Sequence, residues 1–160
     1  LEGKIQIYLP DLKYLDSDAA GRYSGAPDYP QTAQAAIREM VRQTGPCAFD
    51  GDGLLTRGVV IRHLILPGQV SQAKAVMDWV AAEFGPGTVL FSLMSQYTPW
   101  GRSAEFPEIH RRLRAGEMRA AAEYMANLGL EGFTQERTSA QREYTPPFDL
   151  TGVAGEGGAL

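Results

Sequence analysis

The chain is nearly without thiol and imidazole side chains, which build disulfides and transition-metal sites. Among its 160 residues there is one cysteine, Cys47, and two histidines, His63 and His110. A lone cysteine excludes an intramolecular disulfide and a multi-cysteine metal site within the chain, and a reduced thiol in a loop is expected. The charges also nearly balance, with 15 Lys and Arg against 19 Asp and Glu. The formal net charge is -4, and no Lys/Arg run marks a nucleic-acid groove. The Arg-rich stretch HRRLRAGEMR carries Glu117 and adjoins Glu105 and Glu108, so it reads as a solvated face. No apolar run approaches the roughly 20 residues that span a bilayer, and no secretory leader is expected. Neither nucleic acid nor membrane is therefore expected as a partner, and the cytoplasm is the default compartment. The first residue is Leu1 rather than Met, and a chain cut from something longer is the expectation.

What is present is an ordinary globular balance, 44% hydrophobic and 21% charged, in alternating strand-like and helix-like segments. Ile5, Ile7 and Leu9 alternate as a strand before Pro10. Asp16 or Ser17 can cap a short helical turn that breaks at Gly25 and Pro27, and GPCAFDGDGLLTRG reads as a glycine-rich loop. Between them, PQTAQAAIREMVRQTG puts Ala33, Ile37, Met40, Val41 and Thr44 on one helical face and stops at Gly45. Asp50 and Asp52 resemble a scrap of a calcium loop, but the later oxygen ligands are missing. VVIRHLILPG is a near-continuous β-branched run, the profile of a strand covered on both faces. Ser71 can cap a helix bearing Ala73, Val76, Met77, Val80 and Phe84; TVLFSLMSQYTP is a further strand. Ala115 to Leu128 is helical, with Met118, Ala121, Ala122, Met125 and Leu128 inward, and Phe133 to Thr138 forms a last strand. This alternation predicts an α/β fold with a parallel sheet, whose ligands gather at the carboxyl ends of the strands.

Those ends are where the chemistry collects. YLPDLKY places Asp11 and Lys13 two apart, on one side if the strand continues through them. Arg62 sits inside an apolar strand and needs an acid or a ligand as partner. His63 points the other way, toward helices, where a satisfied structural role is expected. The run SQYT brings Ser95, Gln96, Tyr97 and Thr98 to the same rim. Donors with one carboxylate around a pocket suit a ligand with an amino-acid-like end and polar ring atoms. The bland reading is that Asp11 merely neutralises Arg62 or Lys13 within the sheet. His110 reads as exposed, Trp79 as packed at a helix edge and Trp100 as part of a rim loop. Glu143 and Asp149 read as solvated tail residues, while Gln135 or Glu136 can face the pocket from the last strand.

IYLPDLKYLDSDAAGRYSGAPDYP, RGVVIRHLILPG and SLMSQYTP together resemble the carboxyl-terminal portion of radical S-adenosylmethionine proteins related to the pyruvate formate-lyase activating enzyme, from about residue 4 to about residue 150. The resemblance implies a partial (β/α) barrel, the second half of an incomplete (β/α)6 barrel occupying residues 1–150, followed by a flexible tail at 151–160. It implies a parent that cleaves S-adenosylmethionine reductively at a 4Fe-4S cluster, yielding a 5'-deoxyadenosyl radical for hydrogen abstraction in an activase-like reaction. Such a parent needs a reductant and a protein or small-molecule substrate. By the same resemblance Asp11 and Lys13 match a DLK-type strand motif and Arg62 the arginine of an R-x-x-x-x-P-G strand. Lys13 and Arg62 would donate to S-adenosylmethionine, Asp11 would accept or organise, and Gln96 and Tyr97 would add contacts.

The departure is the absent three-cysteine motif, without which this chain is expected to hold no cluster and to have no radical activity. Self-association through the uncovered strand IQIYL is expected as a consequence of an open sheet. The alternative reading is a cluster-free α/β ligand-binding or scaffold domain. A hydrolase is disfavoured because Ser95 lacks a G-x-S-x-G elbow.

Overall fold

The computed structural model describes residues 2–135. Its elements in chain order are strand β1 (Ile7–Tyr8), helices α1 (Ser17–Ser24) and α2 (Tyr29–Thr44), strands β2 (Ala48–Phe49) and β3 (Leu55–Leu64), helix α3 (Val70–Glu83), strand β4 (Leu90–Met94), a 3-10 turn (Gly101–Glu105), helix α4 (Ala115–Leu128) and strand β5 (Gly132–Gln135). The sheet runs β1-β3-β4-β5 with every pair on that path parallel. Among the described residues, neighbours in space follow chain order along that path and the winding does not reverse.

Burial along β3 shows which face the helices cover. Val59, Ile61, His63 and Ile65 are all buried, while Arg62, Leu64 and Leu66 on the alternate positions are only half-buried. The fully buried set joins Ile37 of α2, Ala73, Val76, Met77 and Val80 of α3, Phe91 and Leu93 of β4, and Ala121 and Met125 of α4 in one core. Each large side chain removed from water there contributes about 1.5–3 kcal/mol before entropy is counted. The opposite face is less covered toward the carboxyl end of β3, where Arg62 and Leu64 are half-buried, although Val60 and Ser92 on that face are buried.

Several local expectations are revised. The glycine-rich loop contains β2, which pairs antiparallel with the start of β3. β3 therefore begins before Val59, where the apolar run had placed it. Asp50 is a turn residue: its Oδ1 accepts from the amides of Asp52 and Leu54. Gln69 rather than Ser71 precedes α3, and Leu128 is 37% exposed. The last strand lies at Gly132–Gln135. Glu136, Glu143, Asp149 and the proposed tail at 151–160 fall outside the described residues. Gly58 has φ +140 and faces Cys47 so closely that a Cβ would lie 2.7 Å from its sulfur, which explains glycine where the hairpin folds over β3.

No helix among the described residues is long and apolar enough to cross a membrane.

Candidate functional site at the carboxyl edge of the sheet

Beyond Tyr8 the chain stays beside β3 without forming a regular strand. Arg62 N–H donates to the Pro10 carbonyl at 2.8 Å, and Leu12 N–H donates to the Arg62 carbonyl at 2.9 Å. This puts Asp11 directly opposite Arg62. Their side chains meet on the less covered face, with Asp11 Oδ1 2.8 Å from Arg62 Nη2. The contact is short but badly aligned: Asp11 Oδ1 and Arg62 Nε are buried atoms without a hydrogen-bond partner among the described residues, although the two side chains are 38% and 42% exposed overall. The sheet's need for an acid beside Arg62 is thus met, and directional bonding capacity is left over.

Lys13 is exposed. No partner of its ammonium is found among the described residues, and the side chain borders a shallow, open-sided recess. Tyr14, Tyr23, His63, Leu64 and Gln69 also line that recess. The Tyr14 ring stands 5.9 Å from Tyr29 edge-on and 6.3 Å from Tyr23, so aromatic packing shapes one wall. Tyr97, half-buried beyond β4, has its phenol pKa raised mainly by burial. A hydrogen bond with Ser103 opposes this, and the nearby Tyr14 adds to it. Gln96 is half-buried just past the end of β4. The structure therefore joins Asp11 to Arg62 and sets Lys13 at the recess, with Tyr97 within electrostatic reach of Tyr14.

Reading the sequence missed two contributors. Tyr29, in the first turn of α2, donates its hydroxyl to the Asp11 carbonyl at 2.7 Å and accepts from Lys13 N–H at 3.1 Å. The signal was the aromatic in APDYP, immediately before the proline of the helix start. Glu117, read as part of a solvated face, is a latch. Its carboxylate accepts from Gly68 N–H, from Arg114 N–H and from both Nη1 and Nη2 of Arg111, all at 2.7–2.8 Å. The Arg111 guanidinium is the main cause that brings its pKa down to about 2, with the two backbone donors adding to the shift. The latch ties the Pro67-Gly68 turn after β3 to the start of α4.

Fold and site together define a parallel α/β domain with a polar rim at the carboxyl ends of its strands. No family model matches the chain. It is 24% identical over 132 residues to a protein of Methanocaldococcus jannaschii named uncharacterized protein MJ0674, a match covering 82% of this chain and 34% of that protein. The chain thus spans about a third of that relative's length.

The expectation of radical S-adenosylmethionine chemistry is corrected. Cluster ligation requires several thiolates, and the whole chain has only Cys47. Among the described residues no group of three or more His, Cys, Asp and Glu could hold a metal ion. The half-buried Cys47 thiol points at backbone, 3.6 Å from the Thr88 carbonyl oxygen and 3.9 Å from that of Val59. The iron-sulfur, oxidoreductase and activase-like readings drawn from the resemblance fall with the cluster.

Proposed function

We propose that this chain is a cluster-free α/β ligand-binding domain whose ligand sits at the carboxyl edge of β1, β3 and β4. The observation that carries this reading is the under-satisfied Asp11–Arg62 pair, with Lys13 two residues further along the chain at a recess that neither Asp11 nor Arg62 lines. One carboxylate and two cations drawn from the same strand ends suit a small zwitterion. Lys13 and Arg62 take its carboxylate, Asp11 takes an ammonium or hydroxyl, and Gln96 and Tyr97 take polar ring atoms. An amino acid fits this chemistry, as does a nucleoside with an amino-acid end such as S-adenosylmethionine. The sequential parallel order and one-sided helix cover support a further proposal, that the sheet is part of a (β/α) barrel.

Titration of the isotope-labelled chain with S-adenosylmethionine, methionine and adenosine tests the reading. The expected result is saturable amide shifts centred on residues 11–14 and 62–66. Lys13→Ala should weaken binding about tenfold, the loss of about one charge-assisted hydrogen bond. Absence of shifts at these residues with all three probes would leave a scaffold domain in place of a binding one.

A further inference from the structure

The segment Asp11-Leu12-Lys13 lies between β1 and α1 and belongs to neither, yet four of its backbone groups are bonded from two sides. From the sheet side, Leu12 N–H reaches the Arg62 carbonyl, and the Leu12 carbonyl accepts from His63 Nδ1 at 2.7 Å. From the helix side, one hydroxyl, that of Tyr29, serves both the Asp11 carbonyl and the Lys13 amide. A parallel ladder continuing past Arg62 would serve the Leu12 carbonyl from a backbone N–H of β3. Here an imidazole takes that carbonyl, and the chain is free to turn away toward α1.

A carbonyl can only accept, so His63 Nδ1 carries the hydrogen and Nε2 is unprotonated in the neutral ring. Burial holds the imidazole neutral, its pKa lowered despite the Leu12 bond that opposes the shift. Burial likewise keeps the Tyr29 phenol protonated and able to donate. Leu12 itself is completely buried, whereas Lys13 on one side is exposed and Asp11 on the other is half-exposed.

We propose that His63 and Tyr29 are positioning residues, a two-sided clamp that presets the Asp11-Leu12-Lys13 backbone so that Asp11 and Lys13 face the rim before any ligand arrives. The clamp deepens the ligand-binding reading and rests on it for its purpose. A backbone fixed beforehand is not ordered at the expense of affinity. Neither residue touches the ligand in this scheme; each acts through backbone.

The test has two parts, both on the full labelled chain. The first needs no ligand. Imidazole nitrogen shifts should show His63 as the Nδ1–H tautomer with no titration near pH 6.5. In Tyr29→Phe the Lys13 amide should exchange faster, with the β3 amides still protected. An Nε2–H tautomer, ordinary titration of His63, or unchanged Lys13 protection in Tyr29→Phe would overturn the clamp. The second part uses S-adenosylmethionine, methionine and adenosine as probes. Tyr29→Phe should bind the responding probe about tenfold more weakly at unchanged melting temperature. His63→Asn, which keeps a side-chain N–H donor, should retain more affinity than His63→Ala. Equal affinity in Tyr29→Phe despite a deprotected Lys13 amide would overturn the positioning role. Failure of the wild-type chain to bind any probe would instead sink the ligand reading, while the tautomer and exchange results would still decide the clamp.

Discussion

A single histidine couples the core to the rim. The imidazole of His63 is 3% exposed, near-parallel to the Phe91 ring at 6.4 Å, and lines the recess that Lys13 borders. Its pKa lies below the ordinary value in the folded chain, so the unfolded chain binds the proton more readily. Stability from this group is therefore complete above about pH 6.5, the unfolded value, and declines as pH falls below it. Denaturant midpoints measured between pH 8 and 5 should fall across that window for the wild type. The slope should be largely absent in His63→Phe; an identical slope in both would assign the effect elsewhere. The buried, helix-facing position of His63 was legible from its alternation with Arg62. Its bond to Leu12 was not, because that partner lies 51 residues away in sequence.

At the level of elements, two features position the rim. Glu117 links the turn after β3 to α4 through donors from Gly68, Arg111 and Arg114. Glu117→Gln keeps the shape and removes the charge, and should cost roughly 1–3 kcal/mol because charge-assisted bonds weaken together. With a folded pKa near 2, this contribution is full above the unfolded carboxylate range and disappears as pH falls through 2. The difference in melting temperature between wild type and Glu117→Gln should accordingly narrow in strong acid. The second feature is Gly132, where φ is +152 and a Cβ would overlap the Phe91 backbone. Gly132→Ala should detach β5 while leaving β1, β3 and β4 paired, visible as loss of exchange protection in β5 alone; retained protection there would refute it. The helices were readable from apolar spacing and from a stop such as Gly45. The hairpin of β2 was not, since GPCAFDGDG has loop composition and its two-residue strand exists only because β3 offers an edge.

For the whole molecule, the open side of the sheet has a consequence of its own. Ile5 and Leu9 beside β1 are 36% and 57% exposed, and β1 pairs only with β3 among the described residues. We propose that two copies associate by antiparallel pairing along this edge, where Lys4, Gln6 and Tyr8 alternate with Ile5, Ile7 and Leu9. Sedimentation should show concentration-dependent dimers that Ile5→Lys disrupts; a monomer at high micromolar concentration would dismiss the idea. The sequence by itself determined the α/β alternation, the strand-end placement of Asp11, Lys13 and Arg62, and the shortage of thiolates that removes a cluster. Each of these depends on local periodicity or on composition, which need no partner from elsewhere in the chain. Only the tertiary structure decided that Asp11 pairs with Arg62 while Lys13 keeps its ammonium available, that Tyr29 and His63 close on the backbone between them, and that Glu117 latches the turn after β3. Those are contacts between segments distant along the chain, and packing, not local pattern, selects among the acids and bases that could have made them.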